Sequence, residues 1–502
     1  MYFNLLENEY WWGGVVNKGI DAPYSVEKGD DIDIYKFRDS LDQCAPVFVS
    51  SKGRYLWSEK PFKISFWGNE ARAYGESEIV LVQSEGDNLK SACLAIAKDH
   101  YKLGEMPDEL FLNVPQYNTW IEFGSNQTQE KILDYAHKIV ETGMSTGILM
   151  IDASWHQTLG DWEFNEETFP NPKAMVDELH ELGFKVMLWT VPIVRDTSKA
   201  FEMLKEKGYL LKQQDGKIAY RAWWSGSDPV LDLTNPDALK WYTDTLDGLM
   251  GKYGIDGFKL DAGDMYFYDS HDLMANPVNC AEHTKIFNSL GYKYRFHEFR
   301  AGYNCGGEPI VFRLQDKTHT WDGFGLNCLI PHSITQGLIG HFYHCPDMVG
   351  GGALNELFET CFDQELYVRW VQANALCPMM QFSLAPWRVL SPENFEIVKK
   401  MGALHKKYGE YIVSLARHAS QTGEPIMRHM AYEFPKEGFE KIDDQFMLGD
   451  KILVAPVLEK GKTSRNVKLP EGKWSLFGKE IPGGKTLEFD APLDTLLYFE
   501  KI

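Results

Sequence analysis

The stretch Tyr253-Gly-Ile-Asp-Gly-Phe-Lys-Leu-Asp261-Ala-Gly-Asp264 sets a carboxylate at the end of a short apolar run. Ile255 to Leu260 reads as a buried strand that stops at Asp261, with a turn at Ala262-Gly263. A charge in that place is costly to bury unless something pairs or uses it. Asp261 is therefore either a catalytic group at a strand end or a cap on the next turn. Other apolar runs end in the same way. The first run is followed by Gln116, Asn118 and Trp120, and the second by Asp152 and Trp155. The third contains Trp189, and the fourth also carries Lys259 and Asp264. The fifth ends at Arg300, the sixth at Asp316 and the seventh at Asp347, and the eighth carries Gln381 and Ser383. A polar loop is ordinary on its own, but this convergence is hard to explain as packing.

The chemistry these side chains suit is glycoside hydrolysis, which needs two carboxylates flanking one bond. One stays ionised, and the other is held protonated and donates to the leaving oxygen. Arg300 and Lys259 suit hydrogen bonding to sugar hydroxyls and would keep a nearby carboxylate ionised, although a simple ion pair with Asp261 also accounts for Lys259. Tryptophan faces pack on the C–H face of a sugar ring. No Gly-x-Ser-x-Gly elbow is present, which argues against an esterase. The histidines show no metal-ligand spacing, and His297, His341 and His344 in apolar runs read as hydrogen-bonded core residues. A metal hydrolase assembled from several strands stays as an alternative.

Eight strands are expected to position these groups: Leu110–Val114, Ile148–Ile151, Lys185–Thr190, Ile255–Leu260, Lys293–Phe299, Ile310–Leu314, Ile339–Cys345 and Leu376–Phe382. Amphipathic stretches alternate with them at Gln129–Thr142, Pro172–Leu182, Ala200–Lys207, Ala238–Lys252, His271–Leu290, Leu326–Thr335 and Leu354–Ala373. Asn235-Pro236 is a helix start, with Asn as cap. The pattern predicts an α/β protein with a (β/α)8 TIM barrel over 109–410, flanked by a β-sandwich domain at 1–108 and a C-terminal β-sandwich domain at 411–502. A doubly wound sheet is the structural rival, but no glycine-rich phosphate fingerprint accompanies a strand–helix turn. Tyr10-Trp-Trp-Gly-Gly14 is either a core corner or a loop reaching a neighbouring site.

A chain of 502 residues exceeds one ordinary core, consistent with several domains. The net charge of -21 argues against nucleic acid and anionic membranes as partners. No run reaches the ~18 apolar residues of a membrane span, and no signal peptide is visible at the N-terminus. The eight cysteines lack zinc or disulfide spacing. These features together predict a cytoplasmic setting.

The chain resembles glycoside hydrolase family 31 over nearly its whole length. Gly254-Ile-Asp-Gly-Phe-Lys-Leu-Asp261 is similar to the family's nucleophile motif, so Asp261 is the implied nucleophile. Asp444-Gln-Phe-Met-Leu-Gly-Asp-Lys-Ile-Leu-Val-Ala-Pro-Val457 is similar to the segment opening its C-terminal domain, and Cys345-Pro-Asp347-Met-Val-Gly-Gly to its Asp-Ile-Gly-Gly motif. The family's acid/base motif is Trp-x-Gly-Asp, with a second Trp five residues on. Arg313-Leu-Gln-Asp316 stands there, and Trp321 keeps the spacing, favouring Asp316 over Asp322. Ala262-Gly-Asp264 replaces the Met-Asn-Glu of α-glucoside members, and Gln381-Phe-Ser383 replaces their Arg-x-His. These features, with Trp12-Gly-Gly14, are similar to the branch containing myogenesis-regulating glycosidase.

That resemblance implies a retaining α-glycosidase acting on terminal α-galactosides. Asp261 and Asp316 are its implied catalytic pair, and Trp12, Asn118, Trp120, Asp152, Trp155, Trp189, Lys259, Asp264, Arg300, Trp321, Asp347 and Gln381 its implied sugar-binding groups. The partner is an oligosaccharide or other glycoside, no cofactor or metal is implied, and the oligomeric state stays open. A different sugar (glucose, xylose or sulfoquinovose) and an inactive sugar-binding protein on the same fold are the rival readings.

Overall fold

The computed structural model describes residues 1–25, 27–35, 43–354 and 362–502. At its centre stands a ring of parallel strands: β1 (Gln116–Asn118), β2 (Ile148–Ile151), β3 (Lys185–Thr190), β4 (Gly257–Leu260), β5 (Phe296–Phe299), β6 (Phe312–Arg313), β7 (His344–Cys345) and β8 (Gln381–Phe382). Sequence neighbours are sheet neighbours, and β8 returns to pair with β1. A parallel bridge from Met348 to Gln381 closes the remaining gap, with the Val349 N–H donating to the Gln381 carbonyl at 2.8 Å. This is the expected (β/α)8 barrel.

The outer helices begin where the sequence has capping residues. Thr128, Asn171 and Asn235 each accept backbone N–H groups at the starts of α1 (Gln129–Glu141), α2 (Pro172–Glu181) and α4 (Pro236–Tyr253). Between the last two lies the short α3 (Phe201–Lys207). Gly254, at φ 80, ends α4 just before β4. A hairpin of Tyr220–Trp223 and Gly226–Pro229, absent from the sequence reading, is inserted between α3 and α4.

Several expected elements are corrected. Leu110–Val114 is not a strand: Leu110–Asn113 is a helical turn whose Phe111 packs on Phe296, with ring centroids 6.0 Å apart. The true β1 is polar because its side chains tie the barrel together. Gln116, for example, accepts from the Ile148 N–H at 2.6 Å and donates to the Leu110 and Val114 carbonyls. The later strands are two to four residues long, and Ile339 caps a helix rather than opening β7. After β4, helix α5 begins only at Cys280, capped by Asn279, and extends to Asn288. The weakly marked sixth helix is α6 (Leu329–Leu338). Within the expected helix 354–373, residues 355–361 lie outside the described residues, and α7 spans Gln364–Asn374. Strand pattern does not resume at residue 410, because α8 (Pro392–Thr422) runs through it until Gly423, at φ 77.

Both flanking regions are rich in sheet. The N-terminal one has a four-stranded sheet and a second sheet built on Gln43–Ser50, Arg54–Ser58 and Ile79–Gln83, with Trp11–Val15 alongside. Gly302–Tyr303, just after β5, pairs in parallel with Gln43–Cys44 and joins this sheet to the barrel. The C-terminal region has a six-stranded and a two-stranded sheet, and Phe446–Leu448 and Ile452–Ala455 form the expected hairpin. Arg369 of α7 fastens it to the barrel by donating to carbonyls including Lys462 and Ala491, at 2.9 and 2.8 Å. Among the described residues no helix is long and apolar enough to cross a membrane, and the described cysteines are free.

Candidate active site

Asp261 leaves the end of β4 into a cradle of fixed donors. The Trp189 indole N–H donates to its Oδ2 at 2.8 Å, and Arg300 Nε donates to its Oδ1 at 2.6 Å. The chain then turns through Ala262 at φ 55 and Gly263 at φ 72. A side chain at Gly263 would collide with the Phe287 ring at 2.3 Å, so glycine is needed there. Ala262, a non-glycine residue in left-handed backbone, donates its N–H to Asp261 Oδ1 at 2.8 Å. Burial alone would raise the Asp261 carboxyl. The charges of Arg300 and Lys259, with hydrogen bonds from Arg300 and Trp189, outweigh it and hold the carboxyl well below the usual range. Asp261 is thus held as an ionised carboxylate at a barrel mouth.

Arg300 forks, its Nη2 binding Asp264 Oδ2 at 2.7 Å. Lys259 does not pair with Asp261: its Nζ lies 2.5 Å from Asp152 Oδ2, which also accepts from Asn118 Nδ2 at 2.8 Å. Asn118 Oδ1 in turn caps the Trp120 N–H at 2.7 Å. β1, β2 and β4 thereby hold one connected polar group beside Asp261, able to present a carboxylate, an ammonium and an amide to hydroxyls.

On the neighbouring β6, Arg313 at the strand end is fully buried. Its Nη1 donates to Asp316 Oδ1 at 2.9 Å and to Asp347 Oδ1 at 2.8 Å. Asp347 Oδ2 accepts the N–H groups of Lys317 and Gly352 at 2.7 and 3.0 Å. Asp347 sits at φ 145, a conformation that L residues rarely adopt. Burial, with repulsion from Asp316, pushes its carboxyl up to about 7 against the pull of Arg313. A Cβ at Gly352 would meet Asp316 Oδ1 at 2.7 Å and Asp347 Oδ1 at 3.0 Å, so the glycine loop lies directly against both carboxylates. Asp316 itself keeps 42% of its side chain exposed. Asp322 faces its own loop instead, accepting from Thr320 Oγ1 and the Phe324 N–H.

The other expected site residues divide. Gln381 points into the barrel and donates to Glu298 Oε2 at 2.7 Å. Trp155 is buried with its N–H on the Trp189 carbonyl at 2.8 Å, supporting the wall rather than facing the opening. Trp12 is buried with its ring 5.1 Å from that of His429, at the joint with the C-terminal region. Trp321 donates to Asp363 at 3.1 Å. His297, His341 and His344 are core residues: the first two accept the Val311 and Cys305 N–H groups, and His344 bonds the His341 carbonyl.

Sequence reasoning missed three features. Glu298, at the centre of β5, is fully buried between Gln381 and Arg313, and burial raises its carboxyl. Trp223 of the inserted hairpin lies parallel to Trp189, 6.1 Å away, and Trp224 beside it is 56% exposed and 5.4 Å from Trp120. The adjacent Trp223-Trp224 pair is the signal the sequence offered for this aromatic rim. Among the described residues, no group of His, Cys, Asp and Glu is placed to hold a metal ion.

An eight-stranded parallel barrel with two separately held carboxylates at its C-terminal mouth matches the family model of the glycosyl hydrolases family 31 TIM-barrel domain over residues 116–414. Residues 423–501 match that of the family's C-terminal domain, and the chain belongs to glycoside hydrolase family 31. Within the family it stands with the branch of the myogenesis-regulating glycosidase. It is 33% identical over 402 residues to the Mus musculus protein of that name, covering 77% of this chain and 56% of that one. It is 27% identical over 493 residues to alpha-xylosidase XylQ of Lactiplantibacillus pentosus, covering 88% of this chain and 60% of the relative. The chain therefore spans little more than half the length of these relatives. A GH31 dextranase from Flavobacterium johnsoniae complexed with glucose shares the fold, with a TM-score of 0.83 at 21% identity over 100% of this chain and 66% of that one.

Proposed function

We propose that this chain is a retaining α-glycosidase that releases a terminal, non-reducing α-galactosyl group. The observation that carries the reading is the unequal holding of two carboxylates at one barrel mouth: Asp261 ionised among Trp189, Arg300 and Lys259, and Asp316 exposed two strands further round. Asp261 attacks the anomeric carbon while Asp316 protonates the leaving oxygen, and Asp316 then deprotonates water to release the sugar from Asp261. Asp152, Lys259 and Asn118 bind hydroxyls of the terminal ring, and Trp189 and Arg300 hold the nucleophile. The exposed Trp224 and Trp120 flank the entrance, where an aglycone ring packs.

The galactose assignment is supported by the branch and by the eighth strand. Gln381 is engaged with Glu298 and Ser383 Oγ accepts the Ile121 N–H, so this wall offers no Arg-x-His pair to a glucosyl ring. Hydrolysis of a panel of 4-nitrophenyl α-glycosides tests both levels of the reading. The expected result is the highest kcat/KM on the α-galactoside, with α-galactose as first product. Preference for the α-xyloside or α-glucoside would overturn the sugar, and absence of turnover on every member would overturn the activity.

A further inference from the structure

We infer that Gln43, in the N-terminal region, is a positioning residue for both catalytic carboxylates, acting through the backbones of Arg300 and Arg313. This rests on the roles proposed for Asp261 and Asp316. The β5–β6 ladder contains a single residue pair, Phe299 with Phe312. Beyond it no further residue pair joins β5 to β6. Gln43 fills that gap from outside the barrel. Its Nε2 carries two N–H groups; one donates to the Arg300 carbonyl and the other to the Arg313 carbonyl, the latter at 3.0 Å.

The amide cannot easily turn. Its Oε1 accepts from Gln336 of α6, so exchanging its ends would set two donors face to face and leave two carbonyls against an oxygen. Gln43 and Gln336 are both fully buried. The Gln43 backbone is fixed by pairing with Gly302, and a Cβ at Gly302 would meet the Phe312 ring at 2.4 Å, so this close approach needs glycine. The arginines bridged in this way are those whose side chains hold Asp261 with Asp264, and Asp316 with Asp347. Gln43 thus ties the nucleophile wall to the acid/base wall where the β5–β6 ladder ends. The N-terminal strand is in this sense part of the catalytic geometry.

The test is Gln43→Met, which keeps length and bulk but lacks N–H donors. The expected result in a folded variant is a fall in kcat of about tenfold or more, with KM within about twofold and a displaced pH–rate profile. A loss of thermal stability alone, with kcat, KM and pH profile unchanged, would make Gln43 merely structural and overturn the inference. If Gln43→Met does not fold, Gln336→Met, which frees the amide to turn, is read by the same criteria. If the wild type turns over no glycoside, the functional reading fails separately. A crystal structure of the variant then decides: lengthened Arg300–Asp261 or Arg313–Asp316 contacts support positioning, and unchanged contacts overturn it.

Discussion

The two walls of the barrel mouth hold their carboxylates by different physical means. On the β3–β4–β5 side, Asp261 is surrounded by donors that are themselves immobilised: an indole on β3, a guanidinium at the end of β5 and the following backbone N–H. On the β6–β7 side, Asp316 stands on a loop, is 42% exposed, and shares one guanidinium nitrogen with the buried Asp347. The first arrangement fixes a charge before any ligand arrives, as electrostatic preorganisation requires. The second leaves a carboxyl whose surroundings change when a sugar displaces water from it, which suits a group that must hold a proton in one step and release it in the next.

The sharpest way to break this comparison is to remove the fixed charge. Asp261→Ala and Asp261→Asn should each lose about four orders of magnitude or more of kcat with the fold intact; near-normal turnover in a folded variant would take Asp261 out of the mechanism. Asp316→Ala should lose about 10²–10⁴-fold on a glycoside with a poor leaving group. It should lose less in the first step with an activated phenol, so that the glycosyl-enzyme accumulates. Equal losses on both substrates would deny Asp316 the acid role.

A smaller effect concerns Asp347. Its carboxyl is raised from an ordinary 3.8 to about 7 on folding. A raised carboxyl contributes stability that is fully present below the unfolded value and is lost as pH rises through the folded one. The melting temperature of the wild type should therefore fall between about pH 4 and pH 7 more steeply than that of Asp347→Asn; parallel curves would contradict the shift. The smallest effect expected is that of Asp322→Ala, whose native side chain only caps its own loop. Its kcat/KM should stay within about twofold of wild type on every leaving group, and a loss matching that of Asp316→Ala would reassign the acid/base.

What the sequence made legible follows from how each feature is encoded. β2 and β3 were readable to the residue because Ile148–Ile151 and Lys185–Thr190 are apolar runs buried by the helices around them. β1 was not, because Gln116–Asn118 is polar and serves the barrel interior, while the apolar run before it packs as a helical turn. The run that ends at Asp261 is local, so the strand-end carboxylate was legible. The partners that give it character come from Trp189 and Arg300, far along the chain, and the pairing of Lys259 with Asp152 instead of Asp261 depends on the ring closing. Trp12 and Trp155 were read as sugar-facing because tryptophan near a site looks alike whether it lines the opening or supports the wall. Gln43 carried no signal at all, since an amide is informative only beside the carbonyls it joins.

The most direct test of the division between the two walls is the anomer formed on azide rescue, read by NMR. With Asp316→Ala, azide needs no general base and attacks the glycosyl-enzyme on Asp261, giving a glycosyl azide with the α configuration of the substrate. With Asp261→Ala, azide attacks the substrate directly from the vacated side and gives the β product. These opposite anomers are the result the account predicts; the same anomer from both variants would contradict it.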